Sequence, residues 1–179
     1  MTVASYTALG SGIAWAASAK NMMSLWNGAG SGKIARIYRI WMINNQLATV
    51  SGVTLEIWDI RRITVRTTGG TAITPVKHDT ASAAVPGQII VEHTATTLTT
   101  TSIFRRGLFS NDEPTANAAM TCEEMCDLVP LALIWDSGYG NASVVEPLVC
   151  REGFGILVGQ QTGGAAVGVC DIIFEFTLV

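Results

Sequence analysis

From Gly168 to Val179 the even positions read Cys170, Ile172, Phe174, Phe176 and Leu178, while the odd positions include Asp171, Glu175 and Thr177. A β-strand sends successive side chains to opposite faces, so this period of two describes a strand with one continuous apolar face. Just upstream, Gly153 to Gly159 reads as another strand, and Gln160-Gln161-Thr162-Gly163-Gly164 as the turn between them. The pattern therefore predicts a C-terminal β-hairpin. A hairpin greasy on one side needs a second sheet across from it, which predicts a sandwich.

The same reading places strands at Lys33 to Ile43, with apolar residues on both faces, at Thr54 to Val65 and at Gln88 to Glu92. Further strands fall at Ile103 to Ser110, Val129 to Asp136 and Val144 to Cys150, and a Thr-rich extended piece covers His93 to Ser102. Thr67 to Pro86 is a long connection with a short extended piece near Ile73. Thr121-Cys122-Glu123-Glu124 fits a capping box, predicting one short helix near residues 121–128. The expected fold is all-β: a two-sheet antiparallel sandwich, jelly-roll-like, of about eight strands.

Residues 1–32 sustain neither period. They are rich in Gly, Ala and Ser, with Trp15, Met22, Met23 and Trp26 among scattered large apolar residues. Two readings stand: an extended N-terminal arm anchored on a neighbour, ahead of a sandwich domain at 33–179, or a first strand with loops packed on its own domain. The arm reading makes Trp15, Met22, Met23 and Trp26 candidate assembly contacts. Arg61 and Arg62 join them as charged candidates, but adjacent strand residues face opposite ways, so at most one serves any given surface.

Composition adds a reason to assemble. The 179 residues are 49% hydrophobic and 14% charged, and mean hydropathy is +0.37. A chain so short of charge hides its apolar surplus most simply against copies of itself or a partner. No run of about 18 apolar residues appears, and the start lacks a basic stretch followed by an apolar core, so neither a membrane span nor a secretion signal is expected. Net charge is −3, split as +5 over residues 1–90 and −8 over 91–179. Such a skew either guides subunits into register or averages out where strands of the two halves interleave. No basic tract with interleaved aromatics appears, so nucleic acid is not an expected partner.

Candidate chemistry is sparse. Asn27-Gly28-Ala29-Gly30-Ser31-Gly32-Lys33 resembles a phosphate loop, but Asn27 and Ile34 stand where that motif needs Gly and Ser or Thr. His78 beside Asp79 has no nucleophile in its pattern. Glu123 and Glu124 diverge on a helix and cannot face each other across a bond. Cys122, Cys126, Cys150 and Cys170 lack zinc-type spacing and read as free thiols, with Cys170 a core residue. No catalytic, cofactor-binding or metal-binding residues are expected.

The segments KIARIYRIWMINNQ (33–46), LEIWDIRRIT (55–64), TPVKHD (74–79), FRRGLFSNDEP (104–114), IWDSGYG (134–140) and EPLVCREGFGILV (146–158) resemble small all-β structural proteins of tailed bacteriophages. The turn at 151–155 also resembles one found at jelly-roll strand starts. The resemblance implies a virion component assembled in the host cytoplasm, a capsid decoration (cement) protein or a short head or tail projection. Its partners would be its own copies, with a trimer favoured, and the major capsid or another virion protein. It carries over no catalytic residues. The alternative expectation is a binding module, tail- or fibre-associated and carbohydrate-recognising, using Trp135, Tyr139 and His78 on sandwich-end loops.

Overall fold

A computed structural model describes residues 3–44, 55–94, 97–110, 133–137, 146–161 and 168–179. These form twelve strands: β1 (Ala4–Ala14), β2 (Lys20–Asn27), β3 (Ala35–Asn44), β4 (Leu55–Thr68), β5 (Thr71–Ile73), β6 (Val76–Lys77), β7 (Ile89–His93), β8 (Thr97–Ser110), β9 (Leu133–Asp136), β10 (Leu148–Cys150), β11 (Phe154–Gln160) and β12 (Val169–Leu178). The first sheet runs β10-β3-β12-β1-β6, with β9 also paired to β3, and the second runs β5-β7-β2-β11-β4-β8. The fold is an all-β antiparallel sandwich with more strands than the eight expected. The helix expected near 121–128 lies outside the described residues.

Eight strands pair as one long hairpin wound on itself: β1 with β12, β2 with β11, β3 with β10 and β4 with β8. Along each leg the strands alternate between sheets, which is the connectivity of a jelly roll. The C-terminal hairpin expected from the sequence is therefore corrected. β11 and β12 lie in opposite sheets, and β12 takes β1 and β3 as neighbours. Adjacency in sequence signals a hairpin, but here the apolar face of β12 is satisfied by partners from the far end of the chain.

The alternation of β12 is realised residue by residue. Cys170, Ile172, Phe174, Phe176 and Leu178 are all buried, and the intervening residues are only partly so. Phe174 lies in register with Ala8 on one side and Ile40 on the other. Phe176 stacks on Tyr6 with ring centroids 5.4 Å apart. Across the sandwich, Met23, Leu25, Ile60, Ile156 and Val158 of the second sheet close the same core.

The N-terminal arm is also corrected. β1 sits between β12 and β6, and β2 between β11 and β7, so residues 1–32 supply interior strands of both sheets. Trp15, Met22 and Met23 are buried in the chain's own core and are not assembly contacts, whereas Trp26 is half-buried. Two irregularities hide these strands from a periodic reading. On β1 the inward residues are Tyr6, Ala8 and Gly10, then Ile13, because the register shifts between Gly10 and Ile13. Asp171 fixes that bulge by accepting hydrogen bonds from Ser11 Oγ (3.0 Å) and from the Gly12 amide (2.7 Å), where Gly12 adopts φ 64°. On β2 the shift between Val158 and Gly159 leaves Met22 as the extra residue, so Met22 and Met23 are both buried.

Strands of the two halves alternate at the centre of each sheet, which brings some of their opposite charges together among the described residues. Ion pairs Arg39–Glu175, Arg66–Glu92 and Arg106–Asp59 each join a residue of one half to the other.

Candidate functional site

Two features stand out from the sandwich: an open strand edge and a depression beside a charged rung on the opposite sheet. The edge is β8, which ends the second sheet, and among the described residues no strand pairs its outer side. Ile103 is 50% exposed, Phe104 37% and Leu108 57%. Leu108 pairs with Ile57, itself exposed, while on the inward side Gly107 pairs with Trp58 and leaves room for the indole, into which any Cβ would project. Edge strands template further strands, and natural proteins usually blunt them with charge, proline or cover. β8 carries Arg105 and Arg106 but no proline.

Arg61 and Arg62 point to opposite faces, as strand alternation requires. Arg61 Nε donates to Asp59 Oδ1 at 2.6 Å on the outer face, where Arg106 and Gln161 also reach the fully buried Asp59 carboxylate. Arg62 projects toward the gap between the sheets, donating to the Val149 carbonyl at 2.5 Å with its guanidinium 4.9 Å from the Phe104 ring centroid. Arg62, Val149, Arg151 and Phe154 line a hollow of about 280 Å³ there. Of the six sequence candidates, Arg61 and Arg62 lie on β4 beside the open edge, Arg61 in register with Ile103 on the outer face and Arg62 on the inner one.

The depression, of about 270 Å³, is on the outer face of the first sheet and is lined by residues that include Tyr38, Arg39, His78, Asp136 and Glu175. One rung builds it: Thr7 of β1 pairs with Glu175 of β12, Glu175 with Arg39 of β3, and Arg39 with Asp136 of β9. Arg39 Nη1 donates to Glu175 Oε2 at 3.4 Å, and its Nε lies 3.8 Å from Asp136 Oδ1. His78 Nε2 is 2.6 Å from Thr7 Oγ1, extending the polar row beyond β1. A β-bulge makes the geometry. Ile37 opposes Phe176 and Ile40 opposes Phe174, so Tyr38 and Arg39 together face the single residue Glu175. Bulges re-aim side chains in this way and are frequent next to sites.

The remaining sequence candidates resolve into structure. Asp79 does not pair with His78; its Oδ1 accepts the Ala81 amide at 2.9 Å and shapes a turn. The glycine loop is a nest of backbone amides, with Gly30 at φ 79° and Gly32 at φ 63°. Its anion is the chain's own Glu152, which accepts from the amides of Gly32 (2.7 Å) and Gly30 (3.3 Å), and these bonds hold its pKa below the usual value. Cys150 and Cys170 are free thiols, and burial pushes both up to about 12, which keeps them protonated and inert. Cys122, Cys126, Glu123, Glu124 and Tyr139 lie outside the described residues. Of the two loop residues expected in a binding module that lie among the described ones, Trp135 packs against the core and His78 lines the depression.

The fold thus defines the chain as a jelly-roll β-sandwich in which, among the described residues, β8 is an edge without an outer partner. Compared with protein-family models, with curated proteins and with solved structures, it gives no match.

Proposed function

We propose that the protein is a non-enzymatic structural component that assembles with copies of itself, a decoration or cement protein on the shell of a tailed phage. The observation that carries this reading is β8, a fourteen-residue edge that exposes Ile103, Phe104 and Leu108. Backbone pairing along such an edge supplies affinity, and side chains on alternate positions supply register. With Trp15, Met22 and Met23 committed to the core, the assembly contacts pass to β8, with Arg62 beside it. The phage setting is supported by the resemblance of the 33–46, 55–64, 104–114 and 146–158 segments, which supply framework strands β3, β4, β8, β10 and β11. A trimer that seats β8 of each copy against the next is the favoured arrangement, with the major capsid or another virion protein beneath it.

Hydrogen exchange of the β8 amides tests the edge directly. Amides that point away from β4 should exchange more slowly as protein concentration rises, because pairing between copies protects them. Exchange rates at these positions that stay constant over about a hundredfold dilution would remove β8 as the assembly surface.

A further inference from the structure

We propose that the hollow in the gap between the sheets is a binding site for a small aromatic carboxylate, with Arg62 and Arg151 taking the carboxylate and Phe154 the ring. The site is complete within one chain and does not rest on the assembly reading, whose contacts run along the outer side of β8. Among the described residues the hollow is lined by Arg62 of β4, Val149 of β10, Arg151 just after it and Phe154 at the start of β11.

Two guanidiniums meet here without a carboxylate. Neither Arg62 nor Arg151 takes part in an ion pair among the described residues. Arg62 is half-buried and spends one N–H group on the Val149 carbonyl, while the Phe104 ring backs its guanidinium at 4.9 Å. These two contacts hold the planar fork in place before a ligand arrives and leave its other donors for a carboxylate, whose geometry the fork matches. The acids closest in sequence are turned away. Asp59 accepts from Arg61 on the outer face of the sheet, and Glu152 is committed to the glycine loop, where the amides of Gly30 and Gly32 and the Ser31 hydroxyl hold both of its oxygens. That latch also shapes the turn that presents Arg151: the Gly153 amide donates to the Asn27 carbonyl at 2.8 Å, and the Phe154 amide donates to the Arg151 carbonyl at 3.1 Å. Cys150, next to Arg151, adds no negative charge, because burial keeps its thiol protonated.

The positive charge selects an anion, and the walls select its kind. Phe154 is 43% exposed and Phe104 37%, ring surface that a strongly hydrated inorganic anion cannot use. An aromatic body can, since ring pairs gain more than their buried area alone and a guanidinium also stacks on a flat ring. A cation is repelled by both arginines. The volume, about 280 Å³, lies just below the span of roughly 300 to 1,000 Å³ usual for pockets that enclose drug-sized ligands, which suits a single ring with its acid group.

The test is a titration of the isotope-labelled full chain, followed by backbone chemical shifts, with phenylacetate, with phenylacetamide as a neutral probe of the same shape, and with inorganic phosphate. Phenylacetate should give saturable shifts at Arg62, Val149, Arg151 and Phe154 with a Kd on the order of 1 mM, and phenylacetamide should bind at least about tenfold more weakly. Arg151→Ala should weaken phenylacetate binding about tenfold while leaving the unfolding midpoint in place, because the residue is exposed and its side chain is not engaged in the fold. The proposal is overturned if phenylacetate leaves these signals unmoved up to about a hundred times that concentration, if phenylacetamide or phosphate binds as tightly, or if Arg151→Ala binds as well as the parent.

Discussion

Phe174→Ala probes the packing of the two sheets at its centre. The ring is fully buried, its in-register neighbours are Ala8 and Ile40, and the second sheet closes over it. Truncation removes the transfer energy of the ring and leaves a cavity, together about 3 to 5 kcal/mol for a buried phenylalanine. The upper half of that range is expected here. Ala8 is too short to reach into the space, and β12 is held between β1 and β3 on both sides. A domain of this kind has about 5 to 15 kcal/mol in total, so most of the stability range leaves the variant folded, with an unfolding midpoint lower by roughly 8 to 20 °C. Urea denaturation followed by intrinsic fluorescence should show a lower midpoint concentration at an unchanged slope. The internal control is Glu175→Ala, one residue away on the outer face, which should cost about 0 to 1 kcal/mol through its long ion pair with Arg39. Equal losses from the two substitutions would refute the assignment of faces.

Two further predictions concern β11 and β4. Gly155→Ala should destabilise by about 1 to 3 kcal/mol, because a Cβ there would run into the Leu25 carbonyl, a backbone atom in a central strand that cannot move aside; thermal unfolding checks it. Burial raises the pKa of Glu56 above the ordinary 4.5, against the hydrogen bond that Gln160 donates at 2.8 Å. Between 4.5 and its folded value the native state therefore keeps a proton that the unfolded state has lost, so stability should fall as pH rises through that window. Glu56→Gln should flatten this part of the stability profile, measured by urea unfolding at a series of pH values; an unchanged slope would mean that another group sets it.

How much of this was legible in the sequence depends on where the alternation runs unbroken. β12 keeps strict phase from Cys170 to Leu178, and its face assignment follows directly from the sequence. β3 and β4 were readable from their apolar, β-branched and aromatic content. β1 and β2 were not, because the bulges at Gly10 and Met22 flip the phase partway and the inward face of β1 uses Ala8 and Gly10 opposite Phe174 and Ile172. Small residues facing large ones are good packing, but they look like a loop to a hydrophobic pattern. The pairing of β1 with β12 was illegible for another reason: local sequence carries turn and period, and not which distant strand will lie alongside.

The site was hidden by the same physics. The rung of Thr7, Glu175, Arg39 and Asp136 draws on four strands far apart in sequence, and the bulge that sets Tyr38 beside Arg39 leaves no local mark. The sequence did carry one usable sign, the charged residues at outward positions of otherwise apolar strands, of which Glu175 and Arg39 are two. β8 could be read as a strand, but its place at the end of a sheet could not.

The most direct test of the central claim is the mass of the protein in solution, by size-exclusion chromatography with light scattering, for the parent chain and for the double variant Ile103→Lys, Leu108→Lys. Both side chains are exposed, so the change should leave the fold and its unfolding midpoint intact while placing two charges on the edge beside Arg105 and Arg106. The parent should run as three copies of the 19.0 kDa chain and the variant as a single copy. A parent that stays at 19.0 kDa across all concentrations, or a variant that assembles as the parent does, would contradict assembly through β8.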